Sequence, residues 1–344
     1  MRKLMPLLIV SLFTVPLRAQ QRLTAPDPYY KIPVAVADNT RVARPLLLPR
    51  QKTAYMKAIE KAYRKYPNYL TLNIIRSFRP LRWQNPGALV HDVIANEVRE
   101  FRGLDRHSIG HVSFEFRCDD MMFPVMGGED SADFVSYVTK SIQNDAWLGA
   151  MFYTVGGMLE KPNEMYEDLS YMTQNKPRQI SFLTFRLSKE ACASVHNYYN
   201  ALVRGGVPLN YGMTARPMYK EGANCASLGA SFVEAAGVPE YPQFADKWHR
   251  TIYVANYMLG KGGKSAAAKR SEVDEYNWLK KPASGKYRTG VIFDPSFMNA
   301  WTVGLMTKRI AAPRPYSIYK INKSYGVALD YTDLSAPAQV WWKR

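Results

Sequence analysis

The dipeptide Asn224-Cys225 is the feature that most constrains this chain. It lies in the stretch YKEGANCASLGASFVEAAG, residues 219–237. After Cys225, the larger apolar residues Leu228 and Phe232 recur at helical spacing among small residues, and Gly237 followed by a proline at 239 predicts the helix end. Cys225 is therefore expected at a helix N-terminus. Unpaired N–H groups and the helix dipole there favour an anion, as a nucleophilic thiolate requires. The alternative is a small buried apolar cysteine.

The first nineteen residues predict export. A basic Arg2-Lys3 start is followed by a mostly apolar stretch from Leu4 to Leu17, and a small residue, Ala19, precedes two glutamines. This is the layout of a secretory signal peptide and is too short for a membrane span. We therefore expect a secreted or periplasmic protein after cleavage, the alternatives being an N-terminal anchor or a buried first helix.

Composition limits the class of partner. The chain has 344 residues, 47% hydrophobic and 22% charged, which is normal for a globular protein. Its formal net charge is +17, but the basic residues are spread along the chain rather than clustered. This predicts an anionic cell-envelope polymer or peptide substrate, or contact with a membrane surface, and no nucleic acid. Charge that serves solubility alone is the competing interpretation.

Three cysteines leave one thiol over if two of them pair. The residues are Cys118, Cys192 and Cys225, and the sequence alone allows three pairings. If Cys118 pairs with Cys192, Cys225 is the free thiol. No CxxC or His-x-x-x-His spacing is present, so a structural zinc site has little support. Thiol chemistry of the kind considered for Cys225 needs no metal or organic cofactor, and none is expected.

A second informative stretch, residues 101–118, predicts a strand over 109–116. In this strand His111, Ser113 and Glu115 alternate with apolar residues, which places an imidazole, a hydroxyl and a carboxylate on one face. An ordinary strand with its polar side in water gives the same pattern. His107, in the preceding loop, is the competing candidate for a functional imidazole.

Together, these two stretches resemble the circularly permuted papain-like cysteine amidase and acyltransferase superfamily. That group includes NlpC-like cell-envelope peptidases and lecithin–retinol acyltransferase. The resemblance is carried by Ile-Gly-His111-Val-Ser-Phe-Glu-Phe and by a strand, a helix and Tyr211 leading into Asn224-Cys225, with the histidine preceding the cysteine. It covers about residues 109–238.

The resemblance implies roles for individual residues. Cys225 is the nucleophile, His111 is the general base, and the backbone N–H of Cys225 is a natural oxyanion donor. Tyr211 and Asn224 are candidate substrate-binding residues, although packing and turn formation are the ordinary roles of these residue types. A third polar residue usually lies on the strand after the histidine strand, where this chain has no clean match. Glu115 is taken as the candidate, and the other options are Asp119, Asp120 and Glu129.

These observations predict an α+β protein with a permuted papain-like core, in which an antiparallel sheet packs on the cysteine helix. The predicted segments are a signal peptide (1–19), a Pro-rich leader and helical region (20–100), a catalytic core (101–245) and a C-terminal extension (246–344) with a basic loop at 260–281. Residues 119–130 are expected to be a loop with turn signals at Gly127-Gly128, in which the apolar residues of 121–126 are candidates for a short strand pair. Residues 240–260 are expected to form one helix.

The predicted function is that of an exported thiol hydrolase, a peptidase or amidase. It would act on an amide or ester carbonyl through a thioester on Cys225, with cell-wall peptides as the leading substrate class. One alternative is a non-catalytic envelope binding or scaffolding protein on the same fold. Another is a lipid acyltransferase or esterase.

Overall fold

The computed structural model describes residues 52–63, 66–104, 106–119, 121–130, 147–152, 154–259, 270–283, 285–335, 337 and 342. The predicted signal peptide, the leader up to residue 51 and the first part of the basic loop (260–269) lie outside these residues. Asp120 also lies outside them, as does the side chain of Glu129.

The described part of the chain is an α+β fold, as expected. Its helices are α1 (Ala54–Tyr63), α2 (Pro86–Phe101), α3 (Pro162–Asn175), α4 (Lys189–Arg204), α5 (Cys225–Ala235), α6 (Tyr241–Trp248), α7 (Arg270–Glu275) and α8 (Pro295–Met306). Its strands are β1 (Tyr69–Ile75), β2 (His111–Cys118), β3 (Met121–Asp130), β4 (Val155–Leu159), β5 (Ile180–Leu187), β6 (Asn210–Tyr211), β7 (His249–Ala255), β8 (Tyr287–Phe293), β9 (Tyr316–Ile321) and β10 (Ser324–Tyr331).

Eight strands form one sheet, in the order β6-β4-β3-β2-β1-β5-β10-β9, and β7 and β8 form a separate pair. The expectation of an antiparallel sheet is wrong at one place, because β10 pairs in parallel with β5. A parallel pair needs a long crossover connection, and here the chain between the two strands spans α4, α5 and α8. The sheet is therefore mixed, and it includes strands from before residue 101 and after residue 245.

Helices cover both faces of the sheet. Helices α4, α5 and α8 share a buried apolar cluster with Leu72, Val112 and Phe114, whereas α1 and α3 share another with Tyr69 and Phe182. A large core of this kind supplies the main stabilisation of the fold. It also fixes α5, with Cys225 at its start, against β2, with His111 at its start.

Small residues in α5 allow that helix to lie close to β2. A Cβ added at Gly229 would lie 2.9 Å from Val112 Cγ1, and the Phe232 ring stacks on Phe114 with centroids 4.2 Å apart. The small-residue pattern after Cys225 therefore has a packing reason. It brings the helix N-terminus next to the histidine strand.

Two local expectations differ from the structure. Residues 240–260 form α6 followed by strand β7, because residues 249–255 pair along their whole length with β8. Gly127 and Gly128 lie within strand β3 rather than in a turn. The reason for glycine at position 127 lies in the site described below.

Candidate active site

Cys225 is the first residue of α5, as the sequence predicts. Asn224 precedes the helix in an extended conformation and caps it: its Oδ1 accepts the Ser227 N–H at 2.7 Å, and Ser227 Oγ accepts the Asn224 N–H at 3.0 Å. This reciprocal pair fixes where the helix begins. The thiol therefore sits in the first turn, where the dipole favours negative charge.

The three cysteines follow one of the pairings that the sequence allowed. Cys118 and Cys192 form a disulfide, which links β2 to α4. Cys225 is free and buried, with 6% of its surface exposed. The alternative in which Cys225 is itself a disulfide partner is therefore wrong.

His111, the first residue of β2, interacts with both Cys225 and Glu160. Its Nε2 lies 2.9 Å from Glu160 Oε2, and both side chains are buried. Burial alone would lower the pKa of His111, but the charges of Glu160 and Cys225 and hydrogen bonds to both raise it well above its usual value.

Glu160 is the site residue that the sequence interpretation missed. It directly follows β4, at the start of the segment that leads into α3. Its backbone N–H donates to the Gly127 carbonyl at 3.0 Å, which anchors it beside β3. The available signal was an acidic residue at the end of an apolar segment, immediately before the Lys-Pro that opens a helix.

Gly127 makes the His111–Glu160 contact possible. A Cβ at this position would lie 1.8 Å from Glu160 Oε2 and 3.0 Å from His111 Nε2. Only glycine leaves room for the carboxylate to reach the imidazole across β3. The glycine that suggested a turn therefore serves close packing within a strand.

No hydrogen bond joins Glu115, the predicted third residue, to His111. The two lie four residues apart on one strand, a separation of about 13 Å. Glu115 is completely buried near Tyr55, and neither of its carboxylate oxygens has a hydrogen-bond partner of normal geometry. Burial raises its pKa to about 8. Of the other options, Asp119 is exposed and lies 3.5 Å from Lys189.

His107, the competing imidazole, stacks on His111. The two rings are 4.9 Å apart and 20° from parallel, and His107 Nε2 lies 2.7 Å from Asp168 Oδ2. Arg106 binds the other oxygen of Asp168 at 2.6 Å. Burial alone would raise the pKa of Asp168, but His107 and Arg106 lower it to about 2. The site thus holds two stacked imidazoles, each with its own carboxylate.

A cleft opens beside the thiol, and its lining is largely apolar. Tyr211 and Asn224, the predicted substrate-binding residues, both line it together with Cys225. The Asn224 amide also donates to the Met213 carbonyl at 2.8 Å, so its side chain serves the helix start as well. Their roles in binding substrate stay predictions. The apolar lining residues are Leu81, Trp83, Ile109, Met213, Phe293 and Pro295.

Within the described ranges, no group of three or more His, Cys, Asp or Glu residues is placed to hold a metal ion. No helix in the described part of the chain is long and apolar enough to cross a membrane.

No protein-family model, curated protein or solved structure matches this chain. Evidence for the function of the protein therefore comes from the geometry of the site.

Proposed function

We propose that this protein is an exported thiol hydrolase that acts on an amide or ester carbonyl through a thioester on Cys225. The observation that carries the proposal is that His111 interacts with both the Cys225 thiol and the Glu160 carboxylate, whose Oε2 lies 2.9 Å from His111 Nε2. This is the order of nucleophile, base and orienting acid that cysteine hydrolases use. A permuted papain-like core, with the histidine strand before the cysteine helix, is part of the proposal.

The electrostatics of the site suit this chemistry. A raised pKa keeps His111 protonated near neutral pH, so the imidazolium can stabilise a thiolate on Cys225. The dipole of α5 adds to that stabilisation at the helix start. Glu160 holds the ring in one orientation and supports its positive charge.

The reaction would take two steps. The Cys225 thiolate attacks the carbonyl carbon, the oxyanion forms near the N–H groups at the α5 start, and His111 donates a proton to the departing amine or alcohol. The product of this step is a thioester. Water, deprotonated by His111, then attacks the thioester, releases the acid and restores the thiol–imidazole pair.

Cell-wall peptides are the leading substrate class that we propose. The chain is basic overall, and the disulfide is typical of an oxidising, extracytoplasmic compartment. A basic exported enzyme would meet an anionic wall. The apolar cleft favours a second candidate within the same chemistry, an ester with an apolar acyl group.

The rival from another class is a non-catalytic envelope protein that binds or scaffolds. The absence of a clean sequence match for a third polar residue favours this rival, whereas the Glu160 carboxylate beside His111 supports the enzyme. The raised pKa of a buried histidine that interacts with two ionisable partners also favours a functional site.

Trapping of the acyl-enzyme tests the proposal. The purified chain is incubated with cell-wall peptide fragments and, separately, with activated esters of short and long acyl chains, and the intact mass is measured after rapid quenching. We expect an added acyl mass on Cys225 that is absent in Cys225→Ala. A lack of adduct and of turnover with every substrate would contradict hydrolysis and favour the binding protein.

A further inference from the structure

Helix α2 exposes several apolar residues and buries two polar ones, unlike an ordinary surface helix. Its buried positions include two polar residues, Asp92 and Asn96, while Val90, Ile94, Val98 and Phe101 are exposed. At about 100° per residue, these four apolar side chains fall within an arc of about 80°. We call this set the α2 stripe. A helix that only covered a core would turn such a stripe inward.

The polar side of α2 is fixed to the protein by specific bonds. Asp92 accepts two hydrogen bonds from the Arg82 guanidinium, at 2.8 and 2.9 Å, and Asn96 bonds both the N–H and the carbonyl of Arg79 at 3.0 Å. The orientation of the helix is therefore set by these contacts. The α2 stripe is exposed because the contacts of Asp92 and Asn96 fix the opposite side of the helix against the protein.

The exposure of the stripe is large. Phe101 has 89% of its surface exposed and Ile94 has 57%, and Leu104, just after the helix, is also exposed. Scattered apolar residues on a surface need no explanation, but a continuous stripe along one helix face marks an interaction surface.

The charges around the stripe select an anionic partner. Two acidic residues of α2 turn toward the following loop: Glu100 accepts the N–H groups of His107 and Ser108, and Glu97 accepts a hydrogen bond from the Ser108 hydroxyl. Glu100 is exposed, but so is the basic Arg102, which directly follows the helix, and the chain as a whole carries a formal net charge of +17. Two copies of the chain meeting through this stripe would bring together two strongly basic proteins, which disfavours a self-contact.

We propose that α2 is an interfacial helix that seats the protein on the surface of an anionic phospholipid bilayer. The stripe would enter the boundary between head groups and acyl chains, with Arg102 on the phosphates. This binding does not depend on the thiol chemistry.

In the sequence, helix α2 lies between two segments that line the cleft at Cys225. Leu81 and Trp83, just before the helix, and Ile109 and Gly110, just after it, line the cleft at Cys225. If the proposed thiol hydrolase function holds, a bilayer bound through α2 would present envelope substrates to the segments that form the cleft.

Vesicle co-sedimentation of the full chain tests the proposal. The probe is vesicles of phosphatidylcholine with and without phosphatidylglycerol, and the variant combines Ile94→Gln with Phe101→Ser. Since both side chains are exposed, the variant should fold normally, which circular dichroism and thermal melting check. The matched control is Ile318→Gln, another exposed isoleucine on an edge strand.

We expect binding only to vesicles with phosphatidylglycerol, weakened by salt, by Arg102→Gln, and roughly tenfold or more by the paired α2 variant. Ile318→Gln should bind as the wild type does. Absence of vesicle binding, or equal binding by the α2 variant, would overturn the proposal. So would light scattering that shows a dimer dissociated by the α2 variant, which would assign the stripe to self-association.

Discussion

Glu160 and Glu115 are both buried carboxylates, but their surroundings differ. Glu160 sits against His111, with a charged partner at 2.9 Å. Glu115 is further along the histidine strand, in an aromatic region between the sheet and α1, and its carboxylate oxygens lack normal hydrogen bonds. Burial penalises both charges, but only Glu160 has a cation to offset that penalty.

The difference shows what sequence alternation can and cannot reveal. Alternation correctly places Glu115 on the same side of β2 as His111, but residues on one side of a strand are separated by about 6.6 Å for each two positions. The partner of a strand residue comes from a neighbouring strand or loop. Glu160, which is 49 residues away in sequence, fills that place.

The largest effect should come from Glu160→Gln. The neutral amide cannot stabilise the imidazolium as a carboxylate does, so the pKa of His111 should fall. As pH rises, the imidazolium of the thiolate–imidazolium pair should then lose its proton at a lower pH than in the wild type. We expect a roughly 100-fold fall in turnover. The alkaline limb of the pH profile for alkylation of Cys225 by iodoacetate should also move to lower pH. An unchanged pH profile would exclude Glu160 from the site.

Gly127→Ala should produce a loss nearly as large through geometry alone. The new Cβ would displace the end of the flexible Glu160 side chain, at little cost to the fold, and would break the bond to His111. Alkylation of Cys225 should slow roughly tenfold or more.

The adjacent Gly128→Ala is the matched control. A Cβ at Gly128 would lie 3.3 Å from Leu228 Cδ2 on the other face of the strand. Equal effects of the two substitutions would point to general damage to β3 rather than to loss of the His111–Glu160 contact.

A smaller effect is expected from His107→Asn. Asparagine tolerates the left-handed conformation at this position, where φ is +59°, but it removes the ring that stacks on His111. Loss of an aromatic pair is worth about 1 kcal/mol, or roughly fivefold in rate. Steady-state turnover and the pH profile measure it. A loss as large as that of Glu160→Gln would make His107 the principal imidazole.

Glu115→Gln should leave turnover unchanged and alter stability instead. A carboxyl whose pKa rises from 4.5 unfolded to about 8 folded destabilises the fold progressively as pH rises through that window, because the unfolded state releases its proton first. The free energy of unfolding that is lost across this pH range is on the order of 5 kcal/mol. Denaturant unfolding measured between these pH values should show that the free energy of unfolding falls as pH rises in the wild type. The fall should be smaller in Glu115→Gln.

The exposed Glu164→Gln provides the control for that experiment. It should show the same pH dependence of unfolding as the wild type. If Glu115→Gln also follows the wild-type curve, the carboxyl is not the group that titrates. If it abolishes turnover, Glu115 belongs to the site after all.

Local patterns predicted the elements that carry the site. The helix start at Cys225 and a strand that carries His111 and Glu115 follow from local sequence patterns, and the structure confirms them. The α+β class is also confirmed. These features depend on neighbours within one turn or one strand.

The features that the sequence interpretation missed depend on contacts between distant segments. The strand at Gly127-Gly128 and the role of Glu160 need the register that pairs Ser113 with Gly127 and Gly128 with Leu159. A glycine that makes room for a carboxylate looks the same in sequence as one that forms a turn. The parallel pairing of β10 with β5 likewise joins strands more than a hundred residues apart.

The most direct test of the central claim is the reactivity of Cys225. The purified, non-reduced protein and its His111→Ala variant are treated briefly with iodoacetamide near neutral pH, and the labelled positions are read by mass spectrometry. An imidazole-activated thiolate predicts selective labelling of Cys225, with the disulfide-bonded Cys118 and Cys192 unlabelled, and labelling at least roughly tenfold slower in His111→Ala. Labelling that is absent, or equally fast without His111, would contradict an activated nucleophile at this site.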